Sequence, residues 1–497
     1  MQKLLEREQI SQELHKRLVS KGGQPARLYG TAKVHKTAIP LRPVLSMPGS
    51  PYFNVAEVVT QWLSVIPESK SQCSTKKIAD QLKDITLDEG EVLVSFDVVS
   101  LYTNVPVMEA IQEAADRLYC GEFEVPPVTK ETFIELLTLA SKDVVMLTHN
   151  GYYVQKDGLA MGSPPAPLLA NIWLAKFDND IKDDAKLFDR YMDDIIRSIR
   201  LNQIEEKLRQ INMLHPNLKF TMEIEQNCRI SFLDMLLIRL GCFLASTWYC
   251  KPTDTGLIMN FHALAPRRYK RSVVSGFVHR IYRSCSTWEN FDDSMSKAKS
   301  ILEKNQYPPL FYEPIIAETI SKIRDPVTAT SKSTNANDQA EPARNHKMLL
   351  QYRGSVTDQF VKRLKDVGAP TQVVLTLRKI KTFLPSLKAP VPKMMKSNIV
   401  YQVTCPRCHA RYVGKTSRHC CTRFGEHRTK KVEPVNKHVR SCGGDPKSLT
   451  EEDIEVLATS TKGALHLAIM EALFIRELSP GINVKDELRD HELSLKF

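Results

Sequence analysis

The sequence lacks any run of about 20 apolar residues, the length that a helix needs to cross a membrane. Its first residues, MQKLLEREQISQELHKRL, are charged and amphipathic and have no apolar core of the signal-peptide kind. Its 11 cysteines are an odd number, which excludes a complete set of intramolecular disulfides. We therefore expect an intracellular protein with no membrane partner, whose cysteines are reduced or bound to a metal.

What the sequence does have is length and positive charge. Its 497 residues exceed one ordinary domain and predict two or three. A hydrophobic fraction of 42% with 25% charged residues is typical of a soluble globular protein. The formal net charge of +12 favours a polyanionic partner, nucleic acid before an acidic membrane, although a solvated basic surface would give the same charge.

Changes in composition divide the chain into segments. Residues 325–346 have no apolar periodicity and read as a flexible linker, whereas residues 249–324 are basic and rich in helix patterns. The predicted segments are an N-terminal helix (1–26), a dense region of strands and amphipathic helices (27–248), the basic helical region (249–324), the linker (325–346), a connector (347–396), a second compact region (397–485) and a tail (486–497).

Carboxylates occur in two apolar segments that lie far apart in the chain. Asp97 lies in VLVSFDVVSLY (92–102), and Asp193 and Asp194 lie in RYMDDIIRSI (190–199); both segments predict buried strands. A charge among apolar strand residues is costly unless a partner stabilises it, and paired Mg²⁺ ions do so. The structural alternative is an exposed hairpin with the Asp pair in its turn, which the pair alone would favour.

The surrounding segments resemble reverse transcriptases. YMDD (191–194) resembles motif C, SFDVVSLYTNVP (95–106) motif A and QKDGLAMGSPPAPLLAN (155–171) motif B, in the order and spacing of that family. Further segments are similar to those that flank these motifs in Penelope-like retroelements: RLYGTAKVHKTAIPLRPVLSMPGSPYFNVA (27–56), HPNLKFTMEIEQN (215–227), ISFLDMLLIRLG (230–241) and YCKPTDT (249–255). The resemblance implies a multidomain α+β protein whose first part is a right-hand polymerase with fingers, an antiparallel palm sheet and a thumb.

The resemblance also implies roles for the polymerase residues. Asp97 and Asp193 would hold two Mg²⁺ ions, with Asp194 assisting, to activate the primer 3′-hydroxyl and stabilise the leaving pyrophosphate. Arg42, helped by Lys33 and Lys36, would hold triphosphate oxygens. The residues expected to shape the nucleotide and template pocket are Gln155, Gly158 and Gly162.

Two further residues have an open assignment. Tyr102, five positions after Asp97, would lie under the sugar, exclude a 2′-hydroxyl and so favour DNA synthesis; its alternative is core packing. Lys219 either donates a proton to pyrophosphate or is a surface lysine. The helices of 249–324 would be a thumb on primer–template phosphates, or simply a solvated face.

Residues 398–431, NIVYQVTCPRCHARYVGKTSRHCCTRFGEHRTKK, resemble the core of GIY-YIG endonucleases, a small α/β fold. Tyr401 and Tyr412 lie eleven positions apart in two short apolar strands, and Arg423 and His427 share one face of a predicted helix. The Gly-Ile expected before the first tyrosine is Ile-Val here, as is usual in the Penelope-like branch. Core packing is the alternative for each aromatic ring or histidine taken singly.

This second resemblance implies hydrolysis of a phosphodiester. Tyr401 or Tyr412 would be the base, Arg423 would contact the phosphate, and Glu471 on a later helix would hold one Mg²⁺. His427 would support a tyrosine, and the orienting role would fall to Asn483.

A cysteine pair lies between the two tyrosines. Cys405 and Cys408, followed by His438 and Cys442, have the ligand types and local spacing of a structural Zn²⁺ site, and a cysteine pair is usual here in Penelope-like nucleases. For the His438 half, the alternative is an ordinary helix end. Cys420 and Cys421 are expected to be structural or incidental.

The combined resemblance implies target-primed reverse transcription by a retrotransposon protein. The nuclease would nick target DNA, and the exposed 3′ end would prime synthesis from dNTPs on an RNA template, in the nucleus. A finger segment that the family carries upstream of Arg27 is short here, which predicts either a truncated copy or an incomplete gene model. The rivals are a catalytically inactive nucleic-acid-binding remnant and a polymerase that copies RNA into RNA. The oligomeric state is not indicated.

Overall fold

A computed structural model describes residues 1–20, 22–34, 39–67, 74–324, 346–369, 371–377, 383–460 and 463–483. The chain forms two compact units, each built from separated segments. Unit 1 comprises residues 1–68, 102–175 and 386–497, and unit 2 comprises residues 69–101 and 176–385. Lys36, most of the predicted linker and the tail lie outside the described residues. Within the described residues, no helix is both long and apolar enough to span a membrane.

The helices and strands are numbered here in chain order. The helices are α1 Gln2–Glu6, α2 Gln12–Leu18, α3 Phe53–Leu63, α4 Thr75–Gln81, α5 Leu101–Asn104, α6 Val107–Leu118, α7 Lys130–Ser141, α8 Ala166–Leu174, α9 Asp178–Lys182, α10 Ile204–Met213, α11 Arg267–Ser284, α12 Trp288–Lys304, α13 Pro309–Arg324, α14 Ser355–Asp366, α15 Cys420–Thr429, α16 Pro434–Ser441 and α17 Ala464–Leu478. The strands are β1 Ala26–Ala32, β2 Leu41–Ser46, β3 Glu91–Val98, β4 Val145–Thr148, β5 Gly151–Val154, β6 Phe188–Tyr191, β7 Asp194–Arg200, β8 Phe220–Ile224, β9 Arg229–Phe232, β10 Met235–Leu240, β11 Phe243–Trp248, β12 His346–Gln351, β13 Thr371–Thr376, β14 Ile399–Thr404, β15 Arg411–Thr416 and β16 Ile454–Thr459.

The N-terminal segment of unit 1 forms two helices, so the prediction of a single helix was wrong. Glu8 has a φ of 57°, which interrupts helical geometry between α1 and α2. The Ser11 hydroxyl then accepts a hydrogen bond from the Leu14 amide and caps the start of α2. Leu4 of α1 and Leu14 and Leu18 of α2 are all buried. Because both short helices bury leucines, the sequence pattern resembles that of one continuous helix.

The next part of unit 1 is a four-stranded sheet in the order β2-β1-β4-β5. Strand β1 runs antiparallel to β2 and parallel to β4. Ala26, Leu45 and Met146 form a small core beneath this sheet. Helices α6, α7 and α8 are amphipathic or fully apolar, and their inner faces are buried.

The last part of unit 1 is a three-stranded antiparallel sheet in the order β15-β14-β16. Because side chains alternate across a strand, β14 and β15 bury two different sets of residues. Tyr401 and Tyr412 pack on one face with residues of α15 and α16. Val400 and Val413 pack on the other face with residues of α17.

The centre of unit 2 is a four-stranded sheet in the order β6-β7-β3-β8, with every neighbouring pair antiparallel. This agrees with the antiparallel palm sheet expected from the sequence. Leu93 of β3 and Ile196 of β7 pack against Ile78 of α4 in one core cluster, which continues into the β9–β11 meander. β-branched and aromatic residues dominate these strands, as a pleated buried surface favours.

The remainder of unit 2 is helical and ends in a βαβ element. Helices α11, α12 and α13 bury Val278, Leu302 and Ile315 in a shared core, as the helix-rich prediction required. Strands β12 and β13 are parallel, and α14 supplies the crossover that a parallel pair needs.

Two segments predicted as single strands each contain a change of element. Strand β3 stops at Val98, and Tyr102 lies on the one-turn helix α5. The segment 190–199 is a hairpin and not a single strand, because β6 ends at Tyr191 and β7 begins at Asp194. Both apolar runs contain a change of element that hydrophobicity alone does not reveal.

Candidate functional site

Two strands of unit 2 bring the predicted polymerase carboxylates together. Asp97 on β3 is the direct cross-strand partner of Asp194 on β7. Asp193 lies in the two-residue loop between β6 and β7, and its carbonyl accepts a hydrogen bond from the Val98 amide at 3.2 Å. The three carboxylates therefore lie at the same end of the central strand pair.

Asp97 and Asp194 are exposed and Asp193 is half-buried, so the prediction that these carboxylates are buried within strands was wrong. Asp97 and Asp194 occupy strand ends where solvent reaches the residue. The hairpin that stood as the structural alternative is present, with Asp193 in its turn. This turn lies beside Asp97, so the hairpin and a shared carboxylate site occur together.

The charges of the cluster oppose one another. Protein atoms around its carboxyl group, and then the charges of Asp193 and Asp97, raise the pKa of Asp194 to about 6, although the residue as a whole is exposed. Lys251 acts in the opposite direction and Glu223 reinforces the shift. Three mutually repelling carboxylates at one sheet end form an oxygen donor set that fits Mg²⁺.

The motif B-like segment forms a tight loop in unit 1. Gln155 Nε2 donates to the carbonyls of Asp157 and Gly158 at 3.1 and 3.0 Å. Gly158 has a φ of +76°, and a Cβ there would lie 2.6 Å from the Thr103 carbonyl oxygen. Gly162 has a φ of +102°, and a Cβ there would lie 2.2 Å from a backbone oxygen of β2.

This loop borders a cavity of about 520 Å³. The amide of Leu159 donates to the Tyr102 carbonyl at 2.6 Å, which fixes α5 against the loop. Gln155 lines the cavity, whereas Gly158 and Gly162 lie in the adjoining loop and do not line it; the nucleotide and template roles of all three stay predictions. Tyr102 is half-buried on α5, and its role in sugar selection stays a prediction.

The predicted triphosphate ligands lie on the β1–β2 hairpin of unit 1. Arg42 is exposed and pairs with Thr31 across the strands, and the Lys33 amide donates to the Pro40 carbonyl at 2.9 Å. Lys219 belongs to unit 2 and is exposed immediately before β8. The triphosphate and proton-donor roles of these residues stay predictions.

A cluster in the C-terminal part of unit 1 contains four of the six predicted nuclease residues, Tyr401, Tyr412, Arg423 and His427. Tyr401 Oη lies 2.8 Å from His427 Nε2 and accepts from Arg423 Nε at 3.1 Å. Tyr412 contacts the same histidine, with ring centroids 5.4 Å apart. The predicted face shared by Arg423 and His427 is thus confirmed, because both reach Tyr401 from α15.

Glu433 closes the cluster into a ring. It accepts from Arg423 Nη1 at 2.9 Å, and its second oxygen lies 3.5 Å from His427 Nδ1. This contact favours a proton on Nδ1, a tautomer in which Nε2 would accept a hydrogen bond from Tyr401 Oη. Burial, and then the charge of Arg423, lower the pKa of His427 to about 3, so the imidazole is neutral at pH 7. Burial raises the pKa of Tyr401, which keeps its hydroxyl protonated.

Glu471 and Asn483 contact β15 and do not join this ring. Glu471 Oε2 lies 2.5 Å from Lys415 Nζ, whereas Tyr401 and Tyr412 pack on the sheet face away from α17. The Asn483 side chain accepts from the Val413 amide at 2.9 Å and donates to its carbonyl at 2.8 Å. Asn483 therefore holds the backbone of β15, and its orienting role stays a prediction.

The four predicted zinc ligands converge. Ligand atoms of Cys405, Cys408, His438 and Cys442 all lie within 4.8 Å of one another. Cys408 Sγ lies 3.1 Å from His438 Nε2 and 3.6 Å from Cys442 Sγ. Zinc with bonds of about 2.3 Å to sulfur and about 2.1 Å to nitrogen places its ligand atoms roughly 3.5–3.8 Å apart, so this donor set fits the ion.

Comparisons with known proteins address the polymerase segment. Residues 34–224 match the family model described as reverse transcriptase (RNA-dependent DNA polymerase), and this range includes Asp97, Asp193 and Asp194. The chain carries a reverse-transcriptase domain. Residues 257–317, within the helices interpreted as a thumb, match the model of the animal helix-turn-helix domain, which the sequence analysis missed. No curated protein matches the chain.

Solved polymerase structures resemble the chain at low similarity. Telomerase from Candida albicans in complex with a telomeric RNA fragment has 13% identity, covers 66% of this chain and has a TM-score of 0.41. A truncated apo telomerase from Candida tropicalis has 14% identity, 47% coverage and a TM-score of 0.33, and the RNA-dependent RNA polymerase of a human picobirnavirus has 12%, 63% and 0.35. The chain spans 57% to 64% of the length of these three proteins. Similarity at these TM-scores does not indicate a function.

Sequence reasoning missed several partners around both sites. Lys251 lies in the basic region 249–324 and Glu223 lies in β8, and no motif singles out either residue, yet the charges of both shift the pKa of Asp194. Glu426 accepts from Arg423 at 3.1 Å, and its position three residues later on one helix was a usable signal. Glu433 lies beyond the end of α15, where no spacing rule points to it.

Gly414 allows the two tyrosines to approach one another, and this can be tested. An alanine Cβ at 414 would lie 2.8 Å from both Tyr401 Oη and Tyr412 Cε1. We expect Gly414→Ala to lower the free energy of unfolding by about 1–3 kcal/mol through overpacking and to change the near-ultraviolet circular dichroism of the tyrosines. Gly425→Ala is the matched control, because a Cβ there meets nothing within 4 Å. Equal stability of the two variants would contradict the close-packing account.

Proposed function

We propose that the chain is an RNA-directed DNA polymerase that extends a DNA primer on an RNA template. The observation that carries this proposal is the pairing of Asp97 with Asp194, beside Asp193, inside the reverse-transcriptase domain. Bound Mg²⁺ ions would supply activation of the primer hydroxyl and charge stabilisation of the leaving pyrophosphate. The carboxylates hold and space those ions, and the exposed strand ends leave the cluster open to substrate.

The choice of dNTPs is part of this proposal. Tyr102 lies on α5, whose backbone is joined to the motif B-like loop that borders the cavity. We assign this ring the exclusion of a 2′-hydroxyl, and we assign Arg42 and Lys33 to the triphosphate. Lys36 would belong to the same group but lies outside the described residues.

Primer extension tests the polymerase proposal. We expect the chain to extend a DNA primer on an RNA template with Mg²⁺ and dNTPs, and Asp193→Ala to reduce extension to background because one ligand of the metal pair is removed. Asp293→Ala, an exposed carboxylate on α12, should extend like the unchanged chain. No extension by the unchanged chain would favour a catalytically inactive remnant, and extension with rNTPs in preference to dNTPs would favour RNA synthesis.

We also propose that residues 397–485 are a GIY-YIG-type endonuclease and that the whole is a Penelope-like retrotransposon protein. Support comes from the convergence of Tyr401, Tyr412, Arg423 and His427 in one cluster. Tyr401 is fully buried and its hydroxyl is engaged by two partners, so it suits an orienting role. Tyr412 is the other candidate for the base that activates the attacking water, and its ring contacts the same histidine.

The charge around Arg423 bears on its phosphate role. Two carboxylates, Glu426 and Glu433, already accept from its guanidinium. Hydrogen bonds from Arg418 and Lys430 hold the pKa of Glu426 down at about 2, so this carboxylate stays charged. A phosphate would have to compete with these carboxylates, which makes binding of the cleaved strand dependent on rearrangement of this ring.

Plasmid nicking tests the nuclease proposal. We expect Mg²⁺-dependent conversion of supercoiled to open-circular DNA, and loss of this conversion in Glu471→Gln because the proposed metal ligand is neutralised. Glu477→Gln on the same helix is the control, since this residue is exposed. Nicking that survives in Glu471→Gln at full rate would overturn the assignment of Glu471.

A structural zinc ion is proposed for Cys405, Cys408, His438 and Cys442. A hydrogen bond from the Ala410 amide, and then His438, lower the pKa of Cys408 to about 6, which favours the thiolate that zinc requires. The ion would join the end of α16 to the β14–β15 turn, where a small domain gains most from a cross-link.

Zinc content checks this site directly. We expect about one zinc per chain by elemental analysis, and its loss with a lower melting temperature in Cys408→Ser or Cys442→Ser. Cys421→Ser should keep the ion, because this exposed cysteine lies outside the cluster. Full zinc content in both ligand variants would remove the site from consideration.

The cellular role proposed is target-primed reverse transcription in the nucleus. The nuclease would expose a 3′ end in target DNA, and the polymerase would use that end as its primer. Helices α11–α13 would contact primer–template phosphates, which accords with their basic side chains.

A further inference from the structure

The turn that carries Asp193 has an unfavourable backbone. Tyr191 and Asp194 are directly paired, so Met192 and Asp193 form a two-residue hairpin loop. Met192 has a φ of +57°, whereas Asp193 does not have a positive φ. Positive φ at the first loop position is the pattern in which glycine is normally found. A methionine in this conformation is strained and persists only where its surroundings hold it.

A buried arginine side chain donates a hydrogen bond to the backbone of this turn. Arg190 is 2% exposed, and its Nη1 donates to the Met192 carbonyl at 3.1 Å. The other side of the turn is held through the Asp193 carbonyl, which accepts from Val98 beside Asp97. Both carbonyls of the loop are therefore anchored, one of them by a side chain.

Asp178 fixes the direction of that arginine. It is the first residue of α9, and its two oxygens accept from Arg190 Nε at 2.6 Å and Nη2 at 3.0 Å. This bidentate pair leaves Nη1 pointing at the turn, because the guanidinium is planar and rigid. All three nitrogens of Arg190 are used, two on the carboxylate and one on the loop.

Stability alone does not account for this arrangement. Placing an ion pair out of solvent costs desolvation energy that its attraction only roughly offsets, so apolar residues of the same volume would serve a core as well. Two other cations hold the α9 segment without touching the loop. Lys207 Nζ donates to the Asp180 carbonyl at 2.8 Å and to Asp183 at 3.0 Å, and Arg197 donates to the Ile181 carbonyl.

We propose that Asp178 and Arg190 are a positioning pair that sets the Met192–Asp193 turn, and with it the spacing of Asp193 from Asp97, for divalent metal binding. The inference rests on the proposed polymerase function for the use of that metal, but its geometry stands on unit 2 alone. The pair contacts neither substrate nor metal. It acts by fixing the backbone that presents the Asp193 carboxylate.

Metal affinity separates positioning from mere stability. Mn²⁺ binding to the full chain is measured by electron paramagnetic resonance, and the part lost in Asp193→Ala defines the polymerase site. We expect Asp178→Asn and Arg190→Lys to weaken that part by about 10- to 100-fold, the usual effect of removing support from a metal ligand. The Mg²⁺ concentration needed for half-maximal primer extension should rise by a similar factor in these two variants.

Lys207→Gln is the matched control, because it removes a buried cation from the same segment without touching the loop. We expect it to lower the melting temperature and leave Mn²⁺ affinity unchanged. Asp178→Asn and Arg190→Lys variants that melt earlier but bind Mn²⁺ within about twofold of the unchanged chain would overturn the proposal, as would an unchanged chain with no Mn²⁺ binding that depends on Asp193. Weaker Mn²⁺ binding in both variants, in a chain that extends no primer, would support the positioning pair and reject the polymerase.

Discussion

The register between β3 and β7 is the constraint on which the polymerase site depends. Asp97 faces Asp194 only because seven consecutive residue pairs align from Glu91–Arg200 to this end. Side chains alternate along a strand, so a slip of one residue would turn Asp97 to the opposite face of the sheet. The apolar residues of both strands prevent that slip, since Leu93 and Ile196 would leave the core they share. Packing in the middle of the sheet thus sets the position of charges at its end.

Much of this site was predictable from the sequence, for a physical reason. The carboxylates lie beside apolar strands whose pattern is local, and the segments around them keep a recognisable order along the chain. The turn at Met192 was not predictable, because its residues have no glycine to signal positive φ. The exposure of Asp97 and Asp194 was also missed, since an apolar run does not reveal where a strand ends.

In the C-terminal cluster, too, local sequence spacing predicted some features and missed others. The spacing of Tyr401 and Tyr412, and of Arg423 and His427, was local information and predicted their meeting correctly. Glu433 comes from outside α15 and was missed, although its carboxylate contacts both Arg423 and His427. The separation of Glu471 from the tyrosines follows from side-chain alternation on β14 and β15, and it required the strand faces to be known.

The division of the chain into two interleaved units affects how the protein can be made. Unit 1 draws on residues 1–68, 102–175 and 386–497, so its early segments meet their last partners only after the whole of unit 2 has been synthesised. Chains emerge from the ribosome at roughly 5–20 residues per second, so the early segments wait about 10–40 seconds before the final segment appears. The contacts that complete unit 1 span long stretches of chain, which slows folding and leaves apolar surface uncovered meanwhile. Incomplete chains of this protein on the ribosome therefore expose apolar surface of the kind that chaperones bind.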